Sequence, residues 1–114
     1  MQIKAGLGKK SILIEARKLS ESEMFSGLMF KSRKSGNLLF EKGGRWAIHS
    51  WFVFFPFLAL WLDEKNKIIE HKIVKPFSFY IKPARKFAKL IEIPLNNLNK
   101  DIISNFSVEG ERFK

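Results

Sequence analysis

The sequence predicts a small, mainly β, single-domain fold: a β-barrel or sandwich with one or two short helical turns. Three observations predict it. Trp46 to Leu62 (WAIHSWFVFFPFLALWL) carries no charge in seventeen residues, and its Phe, Trp and Val side chains suit a pleated, buried setting. A polar tip, Asp63-Glu64-Lys65-Asn66, follows, and Lys67 to Val74 (KIIEHKIV) returns as a second apolar run, the pattern of a β-hairpin. No Pro/Gly/Ser-rich linker and no internal repeat divides the 114 residues, a length that suits one core, so 1–114 is expected to be one domain.

Taken in order, the chain alternates loosely after a glycine-rich start, and Ser11 to Arg17 forms a strand with Ile12, Ile14 and Ala16 on one face. Gly6-Leu7-Gly8-Lys9-Lys10-Ser11 is not a phosphate loop. That motif needs Gly at position 3, which is Ile3, and Ser or Thr directly after Lys9, which is Lys10. Ser20-Glu21-Ser22-Glu23 has the form of a capping box and starts one helical turn through Met24 and Phe25, which Gly27 breaks. Lys31 to Gly36 is a basic turn, Asn37 to Phe40 a short strand, and Glu41 to Gly44 another turn. Beyond the hairpin, Lys75-Pro76 ends the second arm and Phe77 to Ile81 is extended until Pro83. Phe87 to Ile93 is a strand or short helix limited by Pro94. Asn96 to Lys100 is a loop or helical turn, and Ile102 to Val108 is a last strand.

The uncharged stretch invites a membrane reading, which length and proline oppose. Its strictly apolar part is the twelve residues Trp51 to Leu62, whereas a spanning helix needs about 20. Pro56 in its middle would cost a helix about 3 kcal/mol or more. The stretch is therefore expected to be a buried hairpin arm, bulged at Pro56, and no transmembrane span is expected. The first residues lack the continuous apolar segment and small-residue cleavage pattern of a secretory signal, which makes the expected location cytoplasmic.

Composition narrows the chemistry. The absence of Cys excludes disulfides, thiolate zinc sites and thiol nucleophiles. The formal charge is +10, with ten Lys/Arg against four Asp/Glu in residues 1–45 and eleven against seven in 63–114. Such a surface attracts polyanions: RNA, DNA or anionic headgroups.

Several short blocks together form a recognisable series: Phe25-Ser26-Gly27-Leu28-Met29-Phe30, Gly36-Asn37-Leu38-Leu39-Phe40, His49-Ser50-Trp51-Phe52, Phe55-Pro56, Leu62-Asp63, Lys75-Pro76-Phe77, Pro83-Ala84 and Leu90-Ile91-Glu92-Ile93-Pro94. On these the chain resembles the archaeal branch of the domain of unknown function 192 family over about residues 21–95. The resemblance implies a compact, mainly β domain with short helical turns. It brings no catalytic activity, cofactor or ligand with it. Relatives usually read Met-Arg where this chain has Val53-Phe54, Asp where it has Leu58, and Gly in the region of Asn96. If those polar residues form a site in relatives, that site is degraded here.

No constellation of residues carries catalysis or a metal. His49 and His71 lie on different segments with no carboxylate cluster and are expected to be structural. Asp63 with Glu70-His71-Lys72 mimics the acidic-x-Lys arrangement of metal-dependent nucleases, but charge alternation on a wet strand face explains it equally. Between Lys72 and Lys89, basic and aromatic residues interleave as single-stranded nucleic acid binding requires: Lys72, Lys75, Phe77, Phe79, Tyr80, Lys82, Arg85, Lys86 and Phe87. Phe77 and Phe79 share one parity, which favours packing into the core. The sequence thus points first to a non-enzymatic binding or accessory module without a cofactor. Its basic face would suit RNA or DNA, with His49, His71, Lys72, Lys75, Tyr80, Lys82, Arg85 and Lys86 as candidate binding residues. A small-ligand protein or enzyme with a pocket beside the hairpin is a second reading, and peripheral membrane association a third.

Overall fold

Alternating side chains build the first edge of the sheet. The computed structural model describes residues 1–24 and 26–106. Strands β1 (Gln2–Leu7) and β2 (Lys10–Lys18) pair antiparallel from Gln2↔Glu15 to Leu7↔Lys10. Gly8, at φ +61°, gives their two-residue turn its left-handed position. Ile3, Ala5, Ile12, Ile14 and Ala16 bury on one face while Lys4, Ser11, Leu13 and Glu15 stay exposed. The expected strand at Ser11 to Arg17 is present, and the glycine-rich start is its hairpin partner.

Four more strands follow: β3 (Asn37–Phe40), β4 (Phe57–Leu62), β5 (Ile68–Val74) and β6 (Lys89–Pro94). They form one six-stranded sheet in the order β1-β2-β3-β6-β4-β5, parallel only between β2 and β3. Its two edges approach each other: Gly6 bridges Lys67, and the Gly6 amide donates to the Asn66 carbonyl at 2.9 Å. The result is a curled half-barrel, in agreement with the mainly β expectation.

Strand β4 is buried on both faces. Leu58, Leu60 and Leu62 enter a cluster that draws on all six strands, and Ile103 and Phe106 pack into it from the C-terminal turns. Phe57, Ala59 and Trp61 enter a second cluster, covered by Leu28, Ile48, Val53, Phe55, Ile81 and Phe87 from the connecting loops. Each such large apolar side chain contributes roughly 1.5–3 kcal/mol when withdrawn from water. Among the described residues, no helix is long and apolar enough to cross a membrane.

The structure corrects several expectations. The long uncharged stretch is a strand only from Phe57 onward. Pro56 has no amide to offer the ladder, and Pro76 stands just beyond the opposite end of β5, so the pairing stops at Phe57↔Val74. Residues 45–56 form a loop with one bridge, Ile48↔Ile81, and leave Trp51, Phe52 and Phe54 exposed. The ladder irregularity lies between Trp61 and Leu62, not at Pro56, and His71 opposes Leu60. Phe77 to Ile81 is not continuously extended, because Phe77 turns at φ +59°. Asn96 caps a 3₁₀ turn, Asn97–Asn99, with its side-chain oxygen accepting from the Asn99 amide at 3.0 Å. Where a last strand was expected, residues 102–106 are helical: α2 spans Lys100–Ile103 and a 3₁₀ turn Ser104–Phe106. Ile103 and Phe106, three apart, meet the core on one side of these turns. Residues 107 and 108 of that expectation lie outside the described residues. The earlier helical turn, α1 (Glu21–Met24), begins where expected. The Ser20 amide donates to Glu23 Oε1 at 3.0 Å, and this backbone bond leads the contacts that hold the Glu23 carboxyl at about 2.

Candidate functional site

Ser50 joins the two loops that carry most of the exposed aromatic rings. It is fully buried between the loop before β4 and the loop after β5. Its Oγ donates to the Lys75 carbonyl and accepts from the Ser78 amide, both at 2.6 Å. Its backbone amide donates to the Ser78 carbonyl at 2.8 Å, and its carbonyl accepts from the Phe77 amide at 2.9 Å. Two further links, Ile48↔Ile81 and Gly44↔Phe87, extend this seam. The two loops are thereby held as one unit.

On that unit the aromatic side chains face water. Phe30, Trp51, Phe52, Phe54, Phe77, Phe79 and Tyr80 are 44–70% exposed, where a single-domain protein ordinarily leaves large apolar groups scattered singly. Six of them pair. Phe30 stacks on Phe52 with centroids 5.0 Å apart, Trp51 lies 5.0 Å from Phe79, and Phe54 meets Phe77 edge-on at 5.4 Å. Phe30, Phe52 and Phe77 hold φ values of +56 to +59°, a region costly for bulky residues. The expectation that Phe77 and Phe79 pack into the core is overturned. The turn at Phe77 breaks the strand parity on which it rested.

A second feature is a cavity of about 540 Å³, lined by none of these rings. It opens between α1, the Gly27-Leu28 turn, β3, β6 and the 46–53 loop. Glu92 reaches into it from β6, between Leu38 and Ala59 in the ladder, and is only 4% exposed. Its carboxylate has no hydrogen-bond partner among the described residues. Burial pushes that carboxyl up to about 8, against a smaller opposing pull from the Lys31 ammonium. Gly27, at φ +49°, passes so close that a Cβ there would stand 3.2 Å from Glu92 Oε1 and 3.3 Å from Phe40 Cζ. His49 lines the cavity and also meets Trp51 edge-on at 6.5 Å, so it borders both features.

The candidate residues separate accordingly. His49 borders the cavity, its Nδ1 accepting from the Trp51 amide at 3.2 Å. His71 is on the far side, where its ring lies 5.0 Å from that of Phe106, so the two histidines do not meet. Lys72 is exposed on β5; Lys75, Tyr80, Lys82, Arg85 and Lys86 are exposed on the loop that carries Phe77 and Phe79. Asp63 and Glu70 are engaged by backbone: Asp63 Oδ1 accepts from the Lys65 and Lys67 amides at 2.9 Å, and Glu70 Oε1 from the Ala84 amide at 2.9 Å. These bonds, that from Lys67 foremost, hold the Asp63 carboxyl below its ordinary range. Among the described residues, no three His, Asp or Glu side chains gather where they could hold a metal ion.

Sequence reasoning missed Glu92 and the first-loop aromatics Trp51, Phe52 and Phe54 as site residues. Glu92 had one available signal: it is the sole charge in Leu90-Ile91-Glu92-Ile93, where both strand parities are apolar, so neither face is wet. The blocks that carry the family resemblance also converge here, supplying Gly27, Leu28, Phe40, His49 and Glu92 to the cavity wall.

No family model and no curated protein matches the chain. Among solved structures, it is similar to a protein of unknown function from Novosphingobium aromaticivorans, at 11% identity and a TM-score of 0.71, covering 89% of this chain and 76% of that one. It is also similar to a candidate transcription regulator from Sinorhizobium meliloti, at 14% identity and a TM-score of 0.70, covering 87% and 81%. At these identities the likeness is one of fold.

Proposed function

We propose that this domain is a non-enzymatic, cytoplasmic binding module for single-stranded nucleic acid. The observation that carries this reading is the set of paired, solvent-facing rings on the seam held by Ser50, with Lys75, Lys82 and Arg85 exposed on the same loops. Each aromatic face offers a stacking surface to any base, and the cations offer charge to the backbone. The formal charge of +10 supplies the attraction at longer range. The Sinorhizobium neighbour's description as a candidate transcription regulator is compatible with it. Kinship with the domain of unknown function 192 family is proposed alongside, on the motif blocks alone.

The test is fluorescence anisotropy of a labelled oligothymidylate with the full chain and with Trp51→Ala and Phe79→Ala. Each substitution is expected to weaken binding by about 5- to 150-fold, the worth of one base–aromatic stack, while the far-UV circular dichroism stays unchanged. Equal affinity in wild type and both variants contradicts the reading. So does partition onto anionic vesicles with no oligonucleotide binding, which would assign the rings to a membrane surface.

A further inference from the structure

We propose that the cavity beside Glu92 is a binding site for a small organic cation, a primary ammonium group carried on a flat or unbranched apolar body. This site is separate from the exposed rings, and its occupant is of a different chemical class from the nucleic acid proposed there.

Three independent features of the cavity support this. The first is the unpartnered acid. Glu92 is 4% exposed, its ladder neighbours Leu38 and Ala59 are apolar, and its carboxyl oxygens accept no hydrogen bond among the described residues. Its oxygens meet the open volume of the cavity and no protein donor, and a largely buried acid without a protein partner is uncommon. The second is the space around it. Gly27 has no side chain where a Cβ would press on Oε1, and both Gly27 and Glu92 line the cavity, so the carboxyl is approached by open volume. The third is the wall. Met24, Leu28, Phe40, Trp46 and Val53 surround a volume of about 540 Å³, within the roughly 300–1,000 Å³ typical of small-ligand sites. Trp46 and Phe40 stand with centroids 5.9 Å apart and Trp46 is held by its Nε1 donating to the Lys42 carbonyl at 2.9 Å.

These parts specify charge and shape. A carboxylate at the base with aromatic rings beside it favours an ammonium through ion pairing and ring quadrupoles together. An anion would meet Glu92 and Glu21, and a purely apolar guest would leave the acid unanswered. The other charged or titratable groups at the cavity are Lys31, whose charge acts on Glu92, and Lys42 and His49 at its wall. Pairing with an ammonium requires Glu92 ionised. The group is held protonated up to about 8 in the empty site, so binding below that pH releases one proton from Glu92 to solvent. Affinity for the amine then rises as pH approaches that value and levels off above it, as long as the amine itself stays protonated.

The experiment is isothermal titration of the full chain with 2-phenylethylamine, 2-phenylethanol and phenylacetate, near neutral pH, in two buffers of different ionisation heat. The amine is expected to bind with release of close to one proton, and the alcohol and the acid to bind far more weakly. Glu92→Gln keeps the shape of the neutral acid but cannot ionise, so the variant is expected to fold and to weaken amine binding by about 30-fold or more. Equal binding of the alcohol, binding of the amine without proton release, unaltered affinity in Glu92→Gln, or no binding of any of the three overturns the proposal. Oligonucleotide binding measured on the same Glu92→Gln protein separates this failure from that of the surface, which lies on other side chains.

Discussion

At position 92 a carboxyl group occupies a strand with no wet face. In the unfolded chain it titrates near 4.5, and in the folded protein near about 8, so between these values the folded state holds a proton that the unfolded state has released. Stability therefore falls as pH rises through that window and levels off above it, a loss on the order of 4–5 kcal/mol at most. Glu23 acts in the opposite sense at the acid end, its contribution being lost as pH falls from 4.5 through about 2. Urea midpoints measured between 4.5 and about 8 should decline for the wild type and stay nearly level for Glu92→Gln, with the variant the more stable above the upper value. Parallel profiles for the two proteins would show that the buried acid does not titrate as described. The residue was legible only in part. A lone charge among apolar neighbours is visible in the sequence, but whether such a side chain escapes to water depends on what roofs the strand. Here the roof is the 46–53 loop and the turn at Gly27, which come from distant parts of the chain.

At the scale of elements, prolines decided what hydrophobicity left open. The aromatic run before Pro56 has the composition of a strand and the tip at Asp63 to Asn66 behaves as one expects of a hairpin, with Asn66 at φ +64°. Yet Pro56 directly precedes the last paired residue of β4 and Pro76 lies two past that of β5, and beyond them the two chain segments leave the ladder for loops joined by backbone bonds and the Ser50 hydroxyl. Ser50 is the centre of that arrangement, and nothing in its sequence neighbourhood marks it, because its partners Lys75 and Ser78 are more than twenty positions away. Replacing it by Ala leaves the Ser78 amide without its acceptor, while the Lys75 carbonyl keeps the Ser78 hydroxyl as a donor at 2.9 Å, at a cost of about 1–3 kcal/mol. Ser50→Ala is thus expected to lower the urea midpoint and to speed amide hydrogen exchange at Phe77 and Ser78 while β4 and β6 keep their protection. Uniform loss of protection across the sheet, or none at the loop, would contradict a local role. The segment from Lys100 to Phe106 shows the complementary limit: Ile102, Ile103 and Phe106 fit a strand or a helix at this length, and packing against the cluster shared by the six strands goes with the helix.

For the whole molecule, the apolar content, the hairpin and the absence of a linker sufficed for a mainly β domain, because each is a local or compositional signal. The curl was not legible, since it depends on Gly6 meeting Lys67 across the full width of the sheet. Nor was the side on which the aromatics would emerge. Strand parity predicts burial for Phe77 and Phe79 only while the chain stays extended, and the left-handed turn at Phe77 ends that condition. What the fold then presents is a charge of +10 and a set of rings in water, six of them on two loops joined through Ser50 and the bridges Ile48↔Ile81 and Gly44↔Phe87. The central claim, that this surface takes single-stranded nucleic acid, is tested most directly by a salt titration of oligothymidylate binding. Single strands release counterions with a slope of about −0.7 per neutralised phosphate, so engagement of about three phosphates predicts a log–log slope of about −2 or steeper. A slope near zero, or no binding even at low salt, would contradict the account.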